Sequence, residues 1–301
     1  MTPAGWSIQG LLKVTAEYLR EKGTEAPRLC AEVLLAHQLK ARRIDLYLNF
    51  DKPLSGPELE GYRSLIRRRL QGEPVQYITG RQEFWSMEFE VGRGVLIPRP
   101  ESELLVEQSL SLLRGERPHD RQDDPKSPCI LDLGTGCGAV ILALAREIRD
   151  ASLFASDISS EALTFAGRNA RKLDSRGRIR FFQGDLFRPL KEERCLFDLV
   201  ATNPPYVAAE DMDTLMTEVR RYEPRIALDG GREGLDCIRK IILESPAFLK
   251  PGGWLLVEMD PGQTESALAL MERSGQFEDG HRIRDYSHRY RVVAGRRKRR
   301  P

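Results

Sequence analysis

Leu131-Asp132-Leu133-Gly134-Thr135-Gly136-Cys137-Gly138 sets three glycines in a turn between the strand-like run Cys129–Leu133 and a helical pattern over 140–148. Glycine is required where the backbone takes positive φ or lies close against a ligand. Glycine turns of this kind occur in several nucleotide-binding folds, so the flanking residues must decide between them. Asp157 ends the next strand pattern (151–156), about 20 residues beyond the first glycine. Rossmann-type sheets place an acidic acceptor for ribose hydroxyls at that distance. A dehydrogenase would share both features, and a helix N-cap is the bland role for Asp157, with Ser159 and Ser160 competing for it. Farther on, strand patterns at Ile179–Gln183, 196–202 and 253–259 alternate with helices. This alternation predicts an α/β fold, a parallel sheet with helices on both faces. A late antiparallel strand over 289–294 is expected to close the sheet.

Upstream the period changes. Residues 1–79 read as helical: Leu11, Leu12, Thr15, Tyr18 and Leu19 recur at helical spacing, as do Leu29, Val33, Leu34 and His37. Ser55 followed by Pro57 and Glu58 predicts a capping box that opens a helix through Leu70. Arg67, Arg68 and Arg69 on that helix read as a solvated basic face, the alternative being contact with an acidic or RNA-bearing partner. Phe84, Trp85, Met87, Phe89 and Val91 predict a short β-hairpin, and a helix follows from Pro100. The charged, proline-rich stretch 114–128 reads as an exposed loop, and 296–300 as a disordered basic tail.

Composition narrows the function. The chain has 301 residues, 41% hydrophobic and 31% charged, with a net charge of +2. A dedicated nucleic-acid-binding domain usually has a pI above about 9, whereas this chain stands near 8.3, so no stable nucleic-acid partner is expected. No apolar run approaches the roughly 20 residues that span a bilayer. The start Met1-Thr2-Pro3-Ala4-Gly5-Trp6 lacks a signal peptide's basic and apolar regions. These observations predict a cytoplasmic protein without a membrane partner. None of the five cysteines forms a C-x-x-C pair and the four histidines are scattered, so neither a disulfide framework nor a metal site is expected.

Asn203-Pro204-Pro205-Tyr206 carries the chemistry. An amide or aromatic amine is a poor nucleophile because its nitrogen lone pair is delocalised. Acceptors for its N–H groups localise that pair and aim it. Asn203 offers a side-chain carbonyl and Pro204 a backbone carbonyl. Consecutive prolines make the strip stiff, and Tyr206 offers a flat ring to cover a planar amide. With no strong base present, positioning would carry the rate. Glutamine side chains and the exocyclic amines of adenine or cytosine both present such a planar NH₂ beside a π system, so the strip alone does not choose between them. Acting on a base in duplex DNA would further require a flipped nucleotide and a broad basic surface.

Gly134–Gly138, Asp157, Gly184-Asp185 and Asn203-Pro204-Pro205-Tyr206, in this order, resemble the class I S-adenosylmethionine-dependent methyltransferase fold. More specific are Gly72-Glu73-Pro74-Val75-Gln76-Tyr77-Ile78-Thr79-Gly80, Glu83-Phe84-Trp85, Val95-Leu96-Ile97-Pro98-Arg99-Pro100-Glu101-Ser102-Glu103-Leu104, Tyr222-Glu223-Pro224 and Ala227-Leu228-Asp229-Gly230-Gly231. Together these resemble the bacterial peptide chain release factor glutamine methyltransferase family over residues 28–293. The resemblance implies a Rossmann-like catalytic domain (80–301, including a hairpin linker) and a helical release-factor-binding domain (1–79). It implies S-adenosylmethionine as cofactor, held by Gly134, Thr135, Gly136, Cys137, Gly138, Asp157, Leu186 and Asn203. It further implies methyl transfer to the glutamine of the Gly-Gly-Gln loop of class 1 release factors, by a monomer. Asn203 and Pro204 would bind the glutamine amide, Pro205 and Tyr206 would pack beside it, and Ile97-Pro98-Arg99-Pro100 would border the site. A sister family that methylates a ribosomal-protein glutamine typically reads Pro-Arg-Ser-Pro where this chain has Pro98-Arg99-Pro100-Glu101. A nucleic-acid amino-methyltransferase and a non-catalytic binding module are the remaining alternatives. Three residues depart from the family pattern: Ser102 stands for threonine, Asp260 precedes Pro261 where glycine is usual, and His288 stands where glycine is common.

Overall fold

The computed structural model describes residues 6–115, 127–175, 177–193 and 195–299. Most of the predicted loop 114–128 and the end of the basic tail lie outside the described residues. The chain divides into two compact units, Met1–Arg81 with Met216–Tyr222, and Gln82–Leu215 with Glu223–Pro301.

The first unit is helical: α1 (Ile8–Glu21), α2 (Pro27–Gln38), α3 (Arg43–Leu48), α4 (Gly56–Leu70) and α5 (Val75–Thr79). Ser7 caps α1, its hydroxyl accepting from the Gly10 N–H at 3.2 Å. Ser55 and Glu58 form the predicted capping box of α4, a device that satisfies two N–H groups at the helix start. Leu12, Leu19, Leu34, Leu35, Leu46 and Tyr62 are fully buried, and burying each such side chain stabilises the unit by ~1.5–3 kcal/mol. Tyr18 and Leu29, read as part of apolar stripes, face outward. The basic run is not one solvated face either. Arg68 pairs with Glu73 at 2.8 Å, and the mostly buried Arg69 pairs with Glu218 at 2.7 Å. Sequence spacing cannot reveal that second partner, because it comes from the returning segment Met216–Tyr222.

The second unit opens with the hairpin β1 (Arg81–Phe84) and β2 (Met87–Glu90). Trp85 and Ser86, both at φ 52°, form its two-residue turn, and left-handed pairs of this kind suit the twist of adjoining strands. A 3₁₀ turn, Pro100–Ser102, leads into α6 (Glu103–Gly115). The rest alternates: β3 (Cys129–Leu133), α7 (Ala139–Glu147), β4 (Ser152–Asp157), α8 (Ser160–Lys172), β5 (Ile179–Gln183) and β6 (Phe197–Thr202). The helix of the first unit's returning segment, α9 (Thr217–Tyr222), comes next, then α10 (Asp236–Glu244), β7 (Leu249–Glu258), α11 (Thr264–Arg273), β8 (Phe277–Arg284) and β9 (Tyr290–Arg297).

Among the described residues the sheet order is β5-β4-β3-β6-β7-β9-β8. The first five are parallel, and β9 runs antiparallel to both its neighbours. The chain builds outward from β3 in one direction and then restarts at β6 on its other side. A switch of this kind opens a crevice at the carboxyl ends of the two central strands, where α/β proteins bind ligands. Two expectations are corrected here. The late strand does not close the sheet, because β8 forms the edge beyond it. Its mixed sequence Glu278-Asp279-Gly280-His281 and a bulge between Glu278 and His281 hide its period. Arg296 and Arg297 belong to β9 rather than to a tail. Arg296 donates from Nε to the Gly252 carbonyl at 3.1 Å and lies over the Trp254 ring, and Arg297 donates to the Leu249 carbonyl.

Candidate functional site

The glycine turn between β3 and α7 is built by backbone conformation. Gly134, Gly136 and Gly138 have φ of 73°, 58° and 85°, a region that strains residues with a Cβ. The Gly134 and Thr135 N–H groups donate to the Ser156 carbonyl at 2.8 and 3.0 Å, tying the turn to β4. Beneath it the buried Asp132 accepts from the Thr135 hydroxyl at 2.6 Å and the Ile141 N–H at 3.3 Å. Burial pushes the Asp132 carboxyl up to about 7 against those two donors.

Asp157 ends β4 beside this turn. Its Oδ2 accepts from the Gly136 N–H at 2.8 Å and its Oδ1 from the Ser159 N–H at 2.9 Å. The helix cap is Ser159, whose Oγ accepts from the Ala162 N–H at 3.2 Å. Asp157 therefore keeps one acceptor position on each oxygen, since a carboxylate has about four. Burial raises its pKa, partly offset by the backbone N–H donors.

Across the switch point, β6 ends at Thr202, whose hydroxyl donates to the Leu133 carbonyl at 2.6 Å. This bond brings the tetrapeptide and the glycine turn to the same end of the sheet. Asn203 Nδ2 donates to Ser102 Oγ and to Glu258 Oε1, each at 3.0 Å. The tetrapeptide is braced from behind by the Leu228-Asp229-Gly230 strip. The Val207 N–H donates to the Leu228 carbonyl at 2.8 Å and the Gly230 N–H to the Val207 carbonyl at 2.9 Å. Gln263 Nε2 donates to the Tyr206 carbonyl at 2.8 Å. Burial raises the Tyr206 phenol to about 12, with the nearby Glu258 carboxylate acting in the same direction.

A cavity of about 400 Å³ lies between these parts, within the usual size range of small-molecule sites. Gly134, Thr135, Gly136 and Cys137 line one side, Asp157 and Leu186 a second, and Asn203, Pro204 and Pro205 a third. Two residues expected at the site do not line it. Gly138 is the N-cap of α7, where a Cβ would stand 3.0 Å from Leu142 Cδ1 and 3.3 Å from Ala166 Cβ, so its part is helix packing. The Tyr206 ring packs against the hydrophobic core rather than facing the cavity. Pro98 and Arg99 do border the cavity. Arg99 pairs with the buried Glu223, which also accepts from the Ile97 N–H at 3.1 Å. Two motifs far apart in sequence are thus one structural joint.

Sequence reasoning missed Glu223 and Glu258 as functional partners. Glu223 lies inside the motif Tyr222-Glu223-Pro224, which was the available signal; Glu258 ends an apolar strand and gave none. Two departures from the family pattern find explanations. Asp260 caps the 3₁₀ turn Pro261–Gln263, accepting from the Gly262 N–H at 2.8 Å, and so helps to place Gln263 against Tyr206. His288 has φ 61°, a left-handed form that glycine would favour.

Comparison with known proteins agrees with this geometry. The model of the PrmC N-terminal domain matches residues 10–80, and a methyltransferase domain model matches residues 130–222. The release factor glutamine methyltransferase of Geobacter sulfurreducens is 42% identical over 294 residues, 98% of each chain. That of Rhodopirellula baltica is 37% identical over 96% of each chain, and that of Chlorobaculum tepidum 39% identical over 94% of each.

Proposed function

We infer the reaction from the premise that this chain belongs to the release factor glutamine methyltransferase family. It is an S-adenosylmethionine-dependent enzyme that methylates the side-chain amide nitrogen of a glutamine. The substrate we propose is the glutamine of the Gly-Gly-Gln loop of class 1 release factors, with the helical first unit gripping the factor. In this reading the enzyme acts as a monomer in the cytoplasm.

The cavity fits the cofactor on its own chemistry. Asp157 retains acceptor capacity for two ribose hydroxyls. The glycine turn exposes backbone on one wall, and Leu96, Val140, Ile158 and Leu186 offer apolar surface for a purine. Gly134, Thr135, Gly136, Cys137, Asp157, Leu186 and Asn203 would hold it. When bound, S-adenosylmethionine supplies an electrophilic methyl group on a positively charged sulfur.

The observation that carries the chemistry is the orientation of Asn203. Both hydrogens of its amide nitrogen point away, to Ser102 and Glu258, so its Oδ1 remains as an acceptor. With the Pro204 carbonyl it can take the two N–H bonds of a primary amide. This localises the nitrogen lone pair and directs it at the methyl carbon. With the cofactor bound, its methyl group would pass to that nitrogen and the electron pair of the broken carbon–sulfur bond would stay on its sulfur, while the amide, held by Asn203 and Pro204, would give up one proton to solvent. Arg99, held by Glu223, keeps the cavity rim in place. Tyr206 supports the strip from the core side in the structure as it stands.

The test is to incubate the protein with labelled S-adenosylmethionine and purified class 1 release factor, its Gly-Gly-Ala variant, a ribosomal-protein substrate, DNA or RNA. Label on the release factor that disappears with the Gly-Gly-Ala variant is the expected result. Label on nucleic acid alone, or on the ribosomal protein alone, would overturn the substrate assignment.

A further inference from the structure

We propose that Glu258 and Ser102 are positioning residues that orient the Asn203 amide, holding its nitrogen inward so that its carbonyl oxygen faces the substrate. The inference rests on the glutamine-amide reading above and adds two residues to it.

An asparagine side chain can present either end, and the wrong end at this site would aim N–H donors at the N–H donors of the substrate. Something must break that symmetry. Glu258 is 1% exposed at the end of β7, and Ser102 is 5% exposed in the turn before α6. They reach Asn203 Nδ2 from two different elements, at 3.0 Å each. In its ionised form Glu258 only accepts hydrogen bonds, and in that form it dictates that the nitrogen faces inward. A glutamine at the same place could present either of its own ends and would not dictate.

Glu258 does not look like a packing residue. Its Oε2 is buried with no hydrogen-bond partner in the structure. A half-satisfied buried carboxyl is destabilising, and an apolar side chain of similar volume would serve a core better. Burial raises its pKa to about 7, against the Ser102 hydrogen bond and the attraction of Arg291 and Arg99. Retaining such a group directly behind Asn203 is consistent with a task that apolar packing cannot perform. Glu258 takes no proton in this role; the carboxylate acts through Asn203.

The experiment compares Glu258→Leu, Glu258→Gln and the Glu258→Gln/Ser102→Ala double variant, each in the wild-type and the Asn203→Ala background. Methyl transfer to release factor gives kcat, calorimetry gives S-adenosylmethionine affinity, and thermal melting checks folding. Glu258→Leu is expected to lower kcat about 30-fold or more, with cofactor Kd within about twofold. Glu258→Gln, which still offers an acceptor, should lose about fivefold or less, and the double variant about tenfold or more. In the Asn203→Ala background none of these changes should cost more than about twofold, which a general structural defect would not reproduce. A Glu258→Leu variant that folds and keeps kcat within threefold of wild type would overturn the proposal. So would an equal loss in both backgrounds. If the Glu258→Leu change prevents folding, the shape-preserving double variant decides by the same criteria. The side-chain NH₂ resonances of Asn203 provide a substrate-free check. Assigned by difference from Asn203→Ala, they should move toward free-amide values in Glu258→Leu, and unchanged resonances would refute the contact. If wild-type enzyme leaves the release factor unlabelled, the substrate reading fails, while these resonances still judge the orientation of Asn203.

Discussion

Replacing Gly230 by alanine should damage catalysis from behind the site. Gly230 does not have a positive φ, so alanine meets no conformational penalty there, and the whole effect is steric. A Cβ would stand 2.7 Å from Tyr206 Cα, 2.7 Å from the Gly234 carbonyl oxygen and 2.8 Å from Gly234 Cα. Ordinary carbon contacts lie near 3.5–4.0 Å, so the strip and the tetrapeptide must separate by roughly 0.8 Å or more. The obstructing atoms are backbone, pinned by the Val207 and Gly230 ladder bonds and by Gln263, and cannot swing aside as a side-chain tip would. Overpacking of this kind costs about 1–3 kcal/mol. Tyr206 is continuous with Asn203 and Pro204, so the acceptors shift with it, and displacement near 1 Å at a reacting centre can cost ~10²-fold in rate. Gly230→Ala is therefore expected to melt at lower temperature and to lose ~30–100-fold in kcat, with cofactor affinity nearly unchanged because the glycine turn is on another strand. Gly167→Ala is the matched control. Its Cβ would meet only Arg171 Nη1 at 4.0 Å, and it lies within α8, where alanine gains about 0.5–1 kcal/mol over glycine. The same chemical change should thus have opposite signs at the two positions. Wild-type kcat and melting temperature in Gly230→Ala would refute the reasoning.

Asn203→Ala should lower kcat at least ~10²-fold, as expected for loss of an oriented hydrogen-bonding group at a reacting centre. S-adenosylmethionine binding measured by calorimetry should persist within about tenfold, and full activity would exclude the proposed role. Asp157→Ala should instead weaken cofactor binding ~10–100-fold, since hydrogen bonds to a charged group contribute about 1.5–3 kcal/mol. Its kcat at saturating cofactor should fall much less, and an unchanged Kd would remove Asp157 from the ribose site. Asp132 and Glu258 both have folded-state carboxyls raised to about 7 by burial, so between about pH 4 and 7 the folded state binds more protons than the unfolded one. Their contribution to stability is therefore present at the acid end of that window and declines as pH rises through it. Urea unfolding at pH 5 and pH 8 should show a shallower decline in Asp132→Asn than in wild type, and an unchanged slope would contradict the burial of an ionisable group there.

What was legible in the sequence was what short stretches encode. The glycine turn, Asp157 at the end of β4 and the rigid Asn203-Pro204-Pro205-Tyr206 strip each act within a few residues of themselves, and all reach one end of the sheet. The Ser55 cap belongs to the same kind of signal. The misreadings have a common physical origin in partners from distant chain. Arg69 looked solvated until Glu218 was placed beside it, and Arg296 looked like tail until Trp254 and Gly252 took it. β8 escaped notice because an edge strand with a bulge has no strict alternation to read. His288 shows the converse: a residue with a Cβ occupies a left-handed backbone position that glycine would favour.

The same distinction separates the residues that face the cavity from those that aim them. Asn203 and Asp157 can be recognised because their chemistry is matched to a ligand, and a ligand's demands are simple enough to leave a motif. Glu258 lies 55 residues from Asn203, and Glu223 lies 126 from Ile97. Each is a carboxylate buried at the end of a strand or helix, where composition alone would predict an apolar or solvated residue. Their presence makes sense only once the fold brings a polar group within 3.0–3.1 Å of each. A motif therefore specifies which atoms meet the substrate, whereas the direction in which Asn203 points is set by Glu258, which no local pattern marks.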